Sequence, residues 1–328
     1  RFDAFEKLLA MVFIPRFAAR AQWLTIALHA LPVRHPRAFR RFSAASNSVH
    51  SQLEDVLRIA AFADGAAGGN PAGVAIRELM PRDEDMRRIA AEVGFSETVF
   101  AQKSGEGWRV RYFSPESEVP FCGHATIALG AALAMKFGDD VFSLHLNEAN
   151  ITVEGRKQAG SIMGALQSPP TSSSAADVDL VGHAFSLFGF AAGDLDSSIP
   201  PALVNGGNNH LVLALKDRST LAAMSYDLDA GRTLMNRYGL VTIILVYAES
   251  PSYFHVRNPF ASGGVYEDPA TGSAAAAFGG YLRDLQWPHG GHIEIVQGED
   301  MGMRSRLFAD IAPEKGSSIR VSGVARVM

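Results

Sequence analysis

The stretch Glu267-Asp268-Pro269-Ala270-Thr271-Gly272-Ser273, running into Ala274 to Ala277 and then Phe278-Gly279-Gly280-Tyr281-Leu282, leaves few folds open to this chain. It reads as a loop turning into a buried helix. Pro269 sets the approach, and Asp268, Thr271 and Ser273 all favour a helix N-terminus. The alanines make a helix slim enough to lie inside a sheet, while Phe278, Tyr281 and Leu282 supply its apolar grip. At such an entrance the first N–H groups lack partners and the helix dipole favours negative charge. Gly272 and Ser273 let an anion reach that backbone, so the stretch suits a carboxylate or phosphate. A capped core helix without a ligand is the plainer alternative.

A second copy favours the ligand. Pro120-Phe121-Cys122-Gly123-His124-Ala125-Thr126 likewise enters a small-residue apolar run, Ile127 to Leu133. Each copy also has a Gly-Gly-Asn signal upstream, at Gly68-Gly69-Asn70-Pro71 and at Gly206-Gly207-Asn208-Asn209. Two half-molecules of similar layout point to a duplication with a pseudo-twofold axis. Two anion-attracting helix ends related by that axis would face one cleft.

Composition excludes several alternatives. The chain has 328 residues, a net charge of −4 and 47% hydrophobic residues, an ordinary balance for a globular protein of two domains. Nothing argues for nucleic acid. A single cysteine rules out an internal disulfide framework. The ten histidines show no ligand spacing, and no phosphate-loop or dinucleotide signature occurs, so no metal and no such cofactor site are expected. Residues 1–52 differ from the rest: eight of the first fifty are Lys or Arg and only Asp3 and Glu6 are acidic. This Arg- and Ser-rich extension has the texture of a transit peptide, its apolar runs are too short to span a membrane, and we place it outside the fold. A cytoplasmic protein is expected, or one of the mitochondrial matrix if residues 1–50 act as a transit peptide.

Along the body, Val56–Phe62 reads as a strand, Val74–Ile76 as the next, and 81–93 as a helix with Met86, Ile89, Ala90 and Val93 on its apolar face, stopped by Gly94. Phe95–Phe100 alternates as a strand that would put Glu97 beside Phe95 and Val99 on the apolar side. Ser168-Pro169-Pro170 and the polar patch from Thr171 to Ser174 form the best hinge candidate. Strands outnumber helices and tight turns join them, which gives an α+β fold.

Gly69-Asn70-Pro71, Phe95-Ser96-Glu97-Thr98, Phe113-Ser114-Pro115 with Glu118, Cys122-Gly123-His124-Ala125-Thr126 and Glu267-Asp268-Pro269-Ala270-Thr271-Gly272-Ser273-Ala274 resemble the linked signatures of the PhzF family of phenazine biosynthesis-like isomerases. The resemblance runs from about residue 54 to the C-terminus. It implies the diaminopimelate epimerase-like fold, two pseudo-twofold-related domains that each curl a mixed sheet around a central helix. The expected boundaries are 53–168, completed by a C-terminal strand at about 317–328, and 169–316. It also implies a homodimer, no cofactor, and a small carboxylate-bearing metabolite as substrate. Carried over, the catalytic glutamate falls on Glu97, with His124 and Asp268 contacting substrate. Gly123, Gly272 and Ser273 hold the carboxylate, and Asn70 and Thr271 complete the substrate-binding set. The related racemases place a cysteine at each helix mouth. Here Cys122 faces Thr271, so a two-thiol racemase is not expected and Cys122 reads as a small buried filler. The implied reaction is a proton shift by Glu97 as acid and base. A one-base epimerase or racemase and a non-catalytic metabolite binder are the alternatives.

Overall fold

The computed structural model describes residues 53, 55–158 and 160–328. The expected extension 1–52 therefore lies outside the described residues. The first group of elements comprises β1 (Leu57–Ala61), β2 (Asn70–Arg77), α1 (Asp83–Val93), β3 (Thr98–Ser104), β4 (Gly107–Phe113), β5 (Glu118–Val119), α2 (Gly123–Phe137), β6 (Asp140–His145), β7 (Asn150–Gln158) and β8 (Ser161–Gln167). There follow β9 (Ser172–Ala175), α3 (Val178–Phe188), β10 (Ala202–Asn205), β11 (Asn209–Ala214), α4 (Arg218–Ala222), α5 (Leu228–Tyr238), β12 (Thr242–Ser250), β13 (Tyr253–Arg257), β14 (Pro259–Phe260) and β15 (Val265–Glu267). The last are α6 (Gly272–Asp284), β16 (His292–Gln297), β17 (Ser305–Ile311) and β18 (Ile319–Val327).

Strands β1, β2, β3, β4, β6, β7, β8 and β18 pair in that order, and β18 returns to pair with β1, closing a ring. The sheet continues from β18 through β17, β16, β13, β12, β11 and β10 to β9. Helix α2 runs through the ring and packs against β1, β2, β7 and β8, while α6 packs against β9, β10, β17 and β18. Every residue from His124 to Ala134 and from Gly272 to Arg283 is buried. A helix covered on all sides must be apolar all round and thin, which the Ala and Gly content of both provides. Helix α2 and β7 meet backbone to backbone: a methyl built on Gly155 would stand 2.1 Å from the Gly130 carbonyl oxygen.

The fold is thus α+β as expected, rich in strands and with few helices. Strands β11 and β12 run parallel and are buried on both faces. Val212, Ala214, Ile244 and Val246 face α6, whereas Leu211, Leu213, Ile243 and Leu245 face a cluster formed with α3 and α5. Their unbroken apolar sequences follow from that double cover. Among the described residues no helix is long and apolar enough to cross a membrane.

Three local readings are corrected. Strand β2 begins at Asn70, earlier than the expected Val74, because Pro71 pairs with Ala60 of β1 before β3 joins at Gly73, where its missing N–H breaks no ladder. Strand β3 begins at Thr98, so Glu97 sits just before it and not on its apolar face. The polar patch is a strand, β9, and not a loop. Ser172–Ala175 pairs with β10, the Ser168 N–H donates to the Ile319 carbonyl, and the Ser168 hydroxyl accepts the Ile319 N–H. Arg283 also donates to the Thr171 hydroxyl at 2.8 Å.

Candidate active site

The N-termini of α2 and α6 abut. A Cβ built on Gly123 would lie 3.4 Å from the Gly272 Cα and 3.4 Å from the Ser273 nitrogen, so the two backbones are in contact with no side chain between them. Neither N-cap residue, Cys122 or Thr271, makes a side-chain capping bond. The N–H groups of Gly123, His124, Gly272 and Ser273 stand in the first turns, where helix geometry offers no acceptor. They border a cavity of about 290 Å³.

Glu97, Cys122, Gly123, His124, Asp268, Thr271, Gly272 and Ser273 all line that cavity. Glu97 reaches it from the turn between α1 and β3, fixed there by the Gly73 N–H donating to its carbonyl at 3.2 Å. Its carboxylate oxygen Oε2 lies 3.4 Å from His124 Nε2. The Cys122 Sγ is 3.3 Å from the His124 Nδ1. These three residues are buried, with their donor atoms within 4.8 Å of one another. Their spacing along the chain carries no metal-site pattern; folding brings them together.

Asp268 lines the same cavity, just before the mouth of α6. It accepts from Asn70 Nδ2 at 2.7 Å and from the Thr271 hydroxyl, and its own N–H donates to the Asn258 carbonyl at 3.0 Å. Burial pushes its carboxyl up to about 6, and the nearby Glu97 adds to the rise, while His124, Thr271 and Asn70 oppose it. Burial also pushes the Cys122 thiol well above its usual range, reinforced by the Glu97 and Asp268 carboxyls. At neutral pH the thiol keeps its proton, so it is not poised as a nucleophile.

Of the expected site residues, Asn70 is placed differently from the rest. It lies behind Asp268, bridging its carboxylate and the Ala270 carbonyl, and so positions that residue and does not line the cavity. Two contributors, Gln297 and Phe62, escaped the sequence reading. Gln297, at the end of β16, accepts from the Thr271 N–H at 3.2 Å and donates to the Asp268 carbonyl at 2.7 Å. Nothing in the sequence around Gln297 marks it, because it acts through contacts with a distant segment. Phe62 is buried with φ of +62°, a strained backbone for an aromatic residue, and its ring tip supports Gly272 from beneath. Asn208 donates to the Ser273 hydroxyl at 3.2 Å, which ties the second Gly-Gly-Asn turn to the mouth of α6. Phe121, Thr242, Phe260 and Ser262 are among the other residues of the walls.

The family model for phenazine biosynthesis-like proteins matches residues 59–328. A trans-2,3-dihydro-3-hydroxyanthranilate isomerase of Pseudomonas aeruginosa is 30% identical over 273 residues, covering 81% of this chain and 94% of that protein. The crystal structure of a PhzF-family phenazine biosynthesis protein of Bacillus anthracis superposes with a TM-score of 0.72 at 22% identity, covering 83% of this chain and 96% of the other. A probable proline racemase of Agrobacterium radiobacter superposes with a TM-score of 0.56 at 11% identity, over 83% and 90% of the two chains, a likeness of fold. Linked motifs, family match and fold agree: the chain belongs to the PhzF family of phenazine biosynthesis-like proteins and is an isomerase.

Proposed function

We propose that this isomerase moves a proton between two carbons of a small carboxylic acid, with Glu97 as the carrier. One observation carries the reading: a buried carboxylate and a histidine 3.4 Å apart share one cavity with two abutting helix mouths. The substrate carboxylate is held by the N–H groups of Gly123, Gly272 and Ser273. As the C–H bond next to it breaks, enolate-like charge grows on that carboxylate, where the two helix dipoles stabilise it. Glu97 takes the proton and returns it to another carbon on the same face. His124 and Asp268 orient the substrate's amine or hydroxyl, and the lobes 53–168 with 317–328 and 169–316 close over it to exclude water. A cavity of about 290 Å³ suits a compound with one small ring. Given the relatives' activity, trans-2,3-dihydro-3-hydroxyanthranilate is the first compound to offer. We also read the protein as a homodimer, which light scattering of the purified chain would test.

The decisive experiment is Glu97→Gln. Losing a general acid–base group costs about 10²–10⁴-fold in rate, so turnover should collapse while circular dichroism stays native. Near-normal turnover would refute the assignment. In deuterated water, substrate hydrogen delivered to the new carbon without inversion supports isomerisation; inversion at the original carbon would instead support a one-base epimerase.

A further inference from the structure

One glutamine fixes the direction of the hydrogen bonds beside Asp268. Gln297 ends β16 and is held by both neighbouring strands, paired with Val256 of β13 and with Ser305 of β17. Its amide nitrogen donates to the Asp268 carbonyl at 2.7 Å and to the Thr271 hydroxyl at 3.1 Å, while its oxygen accepts the Thr271 N–H at 3.2 Å. A backbone carbonyl only accepts and a backbone N–H only donates, so the amide has a single workable orientation. The Thr271 hydroxyl then receives a hydrogen from Gln297 and gives its own to the Asp268 carboxylate. Gly298 lets the two segments come this close: a Cβ there would stand 2.8 Å from the Pro269 carbonyl oxygen.

We propose that Gln297 is a positioning residue for the reaction: acting through Thr271, it holds the Asp268 carboxylate ready for substrate and sets the pH at which that group titrates. Asn70 donates to one carboxylate oxygen and Thr271 to the other. A carboxylate has about four acceptor positions, so those left over serve a substrate N–H or O–H in the cavity that Asp268 lines. The Thr271 hydroxyl gives its one hydrogen to Asp268, which makes Thr271 part of the brace and not a donor to substrate. Each bond donated to the carboxylate favours its ionised form and opposes the burial that lifts it. The titratable groups facing Asp268 are Glu97, from the turn before β3, and Cys122 and His124, from the mouth of α2. Gln297 is bonded to none of these, so a change at Gln297 reaches Asp268 through Thr271 and the Asp268 carbonyl. The effect on turnover rests on Asp268 as a substrate contact, as proposed above; the effect on its titration does not.

The test reads Asp268 directly in the full chain, as the carbon-13 shift of its carboxyl over the range in which a raised carboxyl titrates, with the signal assigned by its absence in Asp268→Asn. The wild type should titrate near pH 6. Gln297→Met, similar in length but without donors, frees the Thr271 hydroxyl to turn away. Thr271→Val removes that hydroxyl and leaves the Thr271 N–H bond to Gln297 in place. Both variants should titrate higher than the wild type, and Thr271→Ser should match it. In both, kcat/KM should fall by up to about 10²-fold, the cost of a misplacement of about 1 Å. The double variant should lose less than the product of the two losses, because they share one bond. An unmoved titration in Thr271→Val, wild-type turnover in both variants, or losses that multiply would overturn the proposal; the first of these decides even where Gln297→Met fails to fold. A raised titration and lowered turnover in these variants, with a Glu97→Gln variant that turns over normally, would uphold the brace and overturn only the proton-carrier reading.

Discussion

Asp268 offers the sharpest test of the electrostatics at the helix mouths. Its carboxyl is raised from 3.8 to about 6, chiefly by burial. Below 3.8 the group is protonated in both folded and unfolded chains and has no effect on the balance. Between 3.8 and about 6 the folded protein holds a proton that the unfolded chain has lost, so stability from this group falls as pH rises and the full cost stands above about 6. A shift of that size corresponds to about 3 kcal/mol. A carboxamide cannot titrate, so in Asp268→Asn that slope should vanish. The measurement is urea unfolding of both proteins from pH 4 to 7.5. The wild type minus variant difference should drop by up to about 3 kcal/mol across the range, a comparison that cancels the titrating groups remote from Asp268. A flat difference would refute the claim that Asp268 is a strained buried acid. The variant should be catalytically poor even where it is more stable, a trade common at functional sites.

Arg257 and Glu267 are both buried, with Nε donating to the carboxylate at 3.1 and 3.2 Å, directly before Asp268 in the chain. Arg257→Met should therefore cost about 3–5 kcal/mol by leaving a buried charge unpaired, and Arg257→Met with Glu267→Gln should recover much of the lost melting temperature. Gly155→Ala drives a methyl into the Gly130 carbonyl oxygen and should destabilise by about 3 kcal/mol or more, seen as a lower urea midpoint. Gly123→Ala puts a methyl in contact with the Gly272 backbone at 3.4 Å; it should fold normally but lower kcat/KM, since the methyl crowds the N–H groups proposed to hold the carboxylate.

Helices and turns were the legible part of the fold. The two central helices announce themselves by alanine and glycine runs behind a loop, and α1 by its apolar spacing and by Gly94, which takes the left-handed cap conformation. Strand limits were harder to read. Glu97 follows Phe95 in an alternating stretch, yet pairing with β2 starts only at Thr98, because the partner strand and not the local pattern decides where a ladder begins. Strand β9, Ser-Ser-Ser-Ala, has no apolar residue larger than alanine; it exists because β10 presents a free edge to it. At the site, residues with telling chemistry in small-residue contexts were readable, as with His124, Asp268 and Gly272. Phe62 and Gln297 were not, since they act through backbone shape and through contacts with distant segments.

Strand β18 bears on how this molecule is made. It is a wall shared by both central helices, with Ala325 in the core around α2 and Ile319 and Val321 in the core around α6. Its partner β1 lies at the other end of the described chain, so the ring cannot shut until residues 319–327 have left the ribosome. Until then α2 stands exposed along one side. Such remote closure makes for slow folding, and it leaves the nascent chain dependent on protection of an open, apolar trough.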